Sequence, residues 1–180
     1  MTLPTFRCYP DPLASGSIDS SETVCACCGQ ARGYVYVGAS YGENDYIDCI
    51  CPWCIAGGSA HSKLKIEFND PGGVGGYGLW ETVPQAVVDE IAYRTPGFIS
   101  WQQGQWCTCC GDAAAFLGNC GYPELVQLGE PAIEVIRLSA VDFADSWDEY
   151  LHALKKKGSP TAYLFQCSHC GKYSGYSDSD

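Results

Sequence analysis

Thirteen cysteines in 180 residues are where chemistry is most legible in this chain. Eight of them form four pairs at one spacing: Cys25-Ala26-Cys27-Cys28-Gly29, Cys51-Pro52-Trp53-Cys54, Cys107-Thr108-Cys109-Cys110-Gly111 and Cys167-Ser168-His169-Cys170-Gly171. A tight turn across C-x-x-C brings two sulfurs toward one point, and in three of the four pairs a trailing glycine supplies the backbone freedom the turn needs. Zinc takes four such ligands in a tetrahedron, so four pairs make two sites. The simplest pairing is sequential. Cys25 and Cys28 join Cys51 and Cys54, and the third pair joins Cys167 and Cys170 across the longer insertion. Two structural Zn²⁺ ions are the expected cofactor. A structural zinc contributes roughly 10–16 kcal/mol of apparent binding free energy, as much as the whole net stability of a domain, about 5–15 kcal/mol. Removing the metal is therefore expected to unfold at least the ribbon units.

Register is less constrained than the presence of metal. Cys27 and Cys109 sit inside the first and third pairs at the same offset, and each competes with a neighbour for a ligand position; Cys49 competes in the same way with Cys51. At the third pair the spacing favours Cys107 with Cys110. Cys8 and Cys120 read as small buried residues.

Other chemistry is poorly represented. Disulfides require an oxidising compartment, the odd cysteine count prevents complete pairing within one chain, and no export signal opens the sequence. Cys51-Pro52-Trp53-Cys54 has the form of a redox dithiol, but that chemistry needs a βαβ setting and a depressed thiol pKa. His61, His152 and His169 are scattered and read as surface or supporting groups. No G-x-S-x-G, H-E-x-x-H or phosphate-binding loop is present. With sulfur closing both sites no open coordination position remains, and no catalysis is expected.

The formal net charge is −11, and both halves of the chain are acidic. Duplex nucleic acid is disfavoured because its affinity rests on Lys and Arg displacing counterions; Lys155-Lys156-Lys157 is the only basic cluster. A zinc-ribbon nucleic-acid module is the alternative reading, with Tyr34, Tyr36 or Trp53 offered for base stacking. No apolar run approaches membrane-spanning length. The expected location is cytoplasmic.

Several elements must position the cysteines. Residues 33–38 read as a strand, 84–94 as a helix stopped by Pro96, and 112–117 as a helix capped by Asp112. Residues 133–138 are ambiguous. Residues 145–157 read as a helix with acids at its start and three lysines at its end. Its stripe Trp147, Tyr150, Leu151 and Leu154 faces a core. Residues 161–166 and 172–176 read as strands flanking the fourth pair, and the glycine-rich stretch 69–78 as a flexible loop or boundary. The expected fold is α+β: a single compact domain, residues 1–180, built around two zinc-ribbon-like knuckle pairs with short antiparallel strands and several helices. One zinc unit lies around 20–60, and the other joins 107–110 to 160–176.

Phe6 to Pro12, Cys25 to Gly29, Ala31 to Tyr36, Cys51 to Ala56, Arg94 to Phe98, Trp101-Gln102-Gln103 and Tyr163 to Lys172 together resemble the CbrC family, cysteine-rich bacterial proteins linked to colicin tolerance. The likeness runs over nearly the whole chain. It implies a bacterial cytosolic protein of tolerance or immunity type. It also implies His then Cys at the third pair, where this chain has Cys109-Cys110, with an aliphatic residue in place of Cys107; that puts Cys109 in contention as fourth ligand. The expected partner is a protein, a basic toxin domain drawn to an acidic surface. Asp142, Asp145, Asp148 and Glu149 offer one acidic face, although such a run also suits a solvated helix N-terminus.

Overall fold

Tyr34, Val35 and Tyr36 are good strand formers, and they lie in β2 (Ala31–Tyr36), antiparallel to β1 (Ile18–Val24). This is the first hairpin of the computed structural model, which describes residues 2–140 and 146–180. The first cysteine pair forms the turn of the hairpin. A bridge from Tyr36 to Ile50 returns the chain to the same place. There the second pair opens α1 (Pro52–Ala56), with Cys51 at its N-cap and Pro52 in the first turn, followed by α2 (Ser59–Leu64).

The helix expected over 84–94 is α3 (Gln85–Arg94), with Pro84 as its N-cap residue. Residues 112–117 do not form a helix. They fall in β4 (Asp112–Ala113), which pairs with β3 (Thr108–Cys109), and in β5 (Ala115–Cys120). The alanines favour a helix locally, but strand pairing wins. The neighbouring β6 (Thr161–Gln166) is buried over its first five residues, and β5 covers one of its edges while β7 (Tyr173–Asp178) covers the other. Phe116, Gly118 and Cys120 are buried, whereas Leu117 is exposed.

Among the described residues three helices cover the second half: α4 (Tyr122–Leu128), α5 (Glu130–Ala140) and α6 (Trp147–Ala153). The ambiguous segment 133–138 is therefore helical. The last helix is shorter than expected and stops before the lysines. Tyr122 N–H donates to Leu154 O and Lys155 N–H to Pro160 O, so the chain turns against Gly121 instead of continuing. The predicted stripe does face inward, with Leu151 and Leu154 buried and Trp147 and Tyr150 packed beside them. Residues 71–73 and 76–78 form 3₁₀ turns. Asp70 organises them, accepting from Gly72 N–H, Tyr77 OH and Gln103 Nε2 at 2.6–2.9 Å.

The main core joins Trp106, Phe116, Tyr163 and Phe165 to the first cysteine cluster, and Phe98 stacks on Phe116 at 4.2 Å. A second core holds Leu125, Ile136, Leu151 and Leu164 beneath α4–α6. Among the described residues no helix is long and apolar enough to cross a membrane. The sheet and α5 meet at Gly175, where an added Cβ would lie 2.6 Å from Tyr163 O and 2.9 Å from Ile136 Cδ1. Gly175→Ala is expected to cost about 1–3 kcal/mol through overpacking, read as a lowered urea midpoint with an unchanged slope.

Candidate metal centres

The structure gathers two groups of four sulfurs: Cys25, Cys28, Cys51 and Cys54, and Cys109, Cys110, Cys167 and Cys170. Within each group all sulfurs lie within 4.8 Å of one another. In the first, Cys25 Sγ is 3.9 Å from Cys54 Sγ and Cys28 Sγ is 3.8 Å from Cys51 Sγ. In the second, Cys109 Sγ is 3.7 Å from both Cys110 Sγ and Cys170 Sγ. Four sulfurs about 2.3 Å from a central zinc form a tetrahedron with edges of about 3.8 Å. The donor set and its spacing therefore fit two metal sites.

Local backbone geometry creates each pair. The first and fourth are the same knuckle. Cys25 N–H donates to Gln30 O and Gly29 N–H to Cys25 O; Cys167 N–H donates to Lys172 O and Gly171 N–H to Cys167 O, all at 2.8–3.0 Å. The third pair is built differently. Cys110 and Gly111 both have positive φ (57° and 71°) and form the two-residue tip of the β3–β4 hairpin, as a type I′ turn requires. Its ligands are thus adjacent residues, Cys109 and Cys110.

Cys107, which the spacing favours, is not in the cluster. It lies two residues back along the chain, just before β3, fully buried in the main core, and burial pushes its thiol up. C-x-C-C-G therefore takes two local structures, a knuckle at Cys25–Gly29 and a hairpin tip at Cys109–Gly111.

The remaining cysteines have other surroundings. Cys8 and Cys120 are buried, with thiols pushed up to about 12 chiefly by desolvation. Cys27 Sγ donates to Ser59 Oγ. Cys49 is half-buried beside the first cluster, and its carbonyl accepts from Ala26 N–H.

Electrostatics within the clusters is uneven. Burial opposes ionisation of Cys25, but backbone N–H donors from Cys51, Cys28 and Cys27 outweigh it and bring the thiol down to about 7. Burial is likewise outweighed at Cys167, where the N–H groups of Cys170 and His169 bring the thiol down to about 6. Desolvation pushes Cys51 up to about 11, reinforced by the charge on Cys25. Desolvation and then the sulfurs of Cys167 and Cys170 raise Cys109. Each cluster therefore pairs one readily ionised thiol, Cys25 or Cys167, with thiols that resist ionisation, Cys51 and Cys109 among them.

The two centres differ in exposure. Cys25, Cys51 and Cys54 are buried, whereas Cys110 and Cys170 are exposed. An ionic brace flanks the outer centre. Arg7 bonds Glu90 at 2.7 Å and Asp112 at 2.5 Å, and Asp112 accepts from His169 Nε2 at 3.0 Å. Burial works against the Asp112 carboxylate, but Arg7 and His169 outweigh it and hold its pKa below the ordinary value. His61 is bound to Ile66 O and stacked on Tyr93, and His152 is bound to Asp148 O. Of the aromatics offered for base stacking, Tyr36 is buried, while Tyr34 and Trp53 lean on each other with Arg32 over the indole. Asp148 and Glu149 are exposed in the first turn of α6; Asp142 and Asp145 lie outside the described residues.

A family model described as "Uncharacterised protein family (UPF0167)" matches residues 3–179. The chain is 43% identical to UPF0167 protein PA1536 of Pseudomonas aeruginosa over 178 residues, covering 94% of this chain and 93% of that one. It is 41% identical over 182 residues to UPF0167 protein Mb2317 of Mycobacterium bovis and to UPF0167 protein MT2352 of Mycobacterium tuberculosis, covering 98% of this chain and 93% of each relative. No solved structure matches.

Metal binds the deprotonated sulfurs, so loading releases protons and affinity falls as pH falls. With at least two protons displaced per site, from the raised thiols Cys51 and Cys54 or Cys109 and Cys110, apparent zinc affinity is expected to drop about a hundredfold or more per pH unit, measured by competition with a chromophoric chelator. Cys54→Ser, at the buried centre, is expected to cost at least about 4 kcal/mol. Cys170→Ser, at the outer centre, should cost less than half as much. Chemical denaturation of the two variants checks the order.

Proposed function

The chain belongs to the UPF0167 family, and we propose that this member is a non-enzymatic binding protein held in shape by two structural zinc ions. The observation that carries this reading is the composition of the clusters. Each gathers four sulfurs at tetrahedral spacing. Such a shell has no open position for water or substrate, as structural sites do and catalytic sites do not. Thiolate-only tetrahedral donor sets suit zinc among the common divalent ions.

The resemblance to CbrC proteins supplies the partner class: a basic nuclease toxin domain, neutralised by protein–protein contact. The net charge of −11 supports it. Such a domain must bind phosphate, and an acidic binder would dock to it fast through electrostatic steering. Asp148 and Glu149 are the exposed members of the acidic run among the described residues. The intracellular location expected of such a protein belongs to the same proposal.

The test is surface-immobilised, zinc-loaded protein against a panel of basic nuclease toxin domains. The expected result is binding to at least one, with an association rate that falls about tenfold or more between low and high salt and falls again in Asp148→Lys/Glu149→Lys. Failure to bind any of them at either salt would count against the partner class. The nucleic-acid alternative predicts a gel shift at about 50 mM salt; the charge balance and the packed Tyr34–Trp53 pair lead us to expect none.

A further inference from the structure

A cleft of about 590 Å³ opens away from both cysteine clusters. Its walls are the N-terminal turn at residues 11–16, the extended segment 99–101, β5 at 117–119 and the loop 156–158. The volume lies within the range of small-molecule sites, roughly 300–1,000 Å³.

Three features make this a built site. The first is a β-bulge. The β5–β6 register shifts between Phe116 and Gly118, and Gly118 takes φ +129°. The irregularity leaves Leu117 as the extra residue, exposed on the cleft wall; bulges re-aim side chains in this way next to binding sites. The second is a concentration of apolar surface. Ile99, Trp101 and Leu117 are all exposed large hydrophobics, and all three line the cleft. The third is charge. In a chain with 10 bases against 21 acids, Lys156 and Lys157 stand together at one wall, and among the described residues neither has a carboxylate within ion-pair distance. Among the described residues the single carboxylate lining the cleft is Asp11, on the N-terminal turn, where it accepts from Ala14 N–H.

The walls are tied to one another. Trp101 Nε1 donates to Gly158 O at 2.7 Å, which fixes the lysine loop to the apolar segment. Asn119 Nδ2 donates to Ile99 O at 3.2 Å, which fixes that segment to the bulge. Trp101 N–H donates to the hydroxyl of Tyr163, itself fully buried.

We propose that this cleft binds a small amphipathic anion: a flat apolar or aromatic body seated against Ile99, Trp101 and Leu117, with one carboxylate, sulfonate or phosphate at the Lys156–Lys157 wall. Nothing in the metal or toxin-binding reading requires the site, and it stands or falls separately.

Calorimetric titration of the zinc-loaded full chain with naphthalenesulfonate tests the proposal, with uncharged naphthol as comparator. The expected result is saturable binding of one sulfonate per chain, at least about tenfold tighter than naphthol. Lys156→Glu/Lys157→Glu should weaken sulfonate binding about tenfold or more. Lys155→Glu, which reverses an adjacent base that does not line the cleft, should weaken it less than the double variant does. Leu117→Asp should abolish it while circular dichroism stays unchanged. The proposal is overturned by absence of saturable binding up to millimolar probe, by equal affinity for naphthol, or by a double-lysine variant that binds as well as the parent.

Discussion

Four thiolates confined within 4.8 Å of one another repel, and a cation between them is what makes ionising all four favourable. The chain prepares for it unequally. Backbone N–H donors stabilise charge on Cys25 and Cys167, while desolvation and neighbouring sulfurs keep Cys51 and Cys109 protonated. A cation bound among the four sulfurs would offset that resistance at Cys51 and Cys109. Metal binding and the closure of distant backbone segments are then a single event.

The two clusters close different things. The inner one joins the tip of the β1–β2 hairpin to the start of α1, and its sulfurs belong to the main aromatic core. The outer one joins the β3–β4 hairpin to the loop between β6 and β7, where the three-stranded ladder already holds the chain together. The Arg7–Glu90–Asp112–His169 brace then connects the N-terminal segment and α3 to this outer centre. The two cysteine clusters and the lysine-walled cleft occupy separate parts of the fold.

The elements that were legible in the sequence are those whose local signals agree with their tertiary setting. Thr161–Gln166 is an apolar run flanked by a proline and a cysteine knuckle, and it is a strand with the expected bounds. Gln85–Arg94 lies between two prolines and is a helix. Misreadings came where local preference and packing conflict. The alanines at 113–115 favour a helix, but the edge of β6 demands a partner. The lysines at 155–157 suit a helix C-terminus, but the backbone beside them is engaged by Pro160 and Tyr122. Of the eight clustered cysteines, seven follow from spacing alone. The eighth, Cys109, depends on Cys110 taking positive φ at a hairpin tip, which C-x-C-C-G does not distinguish from the knuckle at Cys25–Gly29. The cleft was not legible at all, because its walls come from four segments that meet only in the fold.

The most direct measurement of metal inside the clusters combines native mass spectrometry of the purified chain with a thermal melt before and after exhaustive chelation. The predicted result is two zinc ions per chain, with loss of the cooperative transition once both are removed. A chain that carries no metal and still melts cooperatively at the same temperature would contradict it.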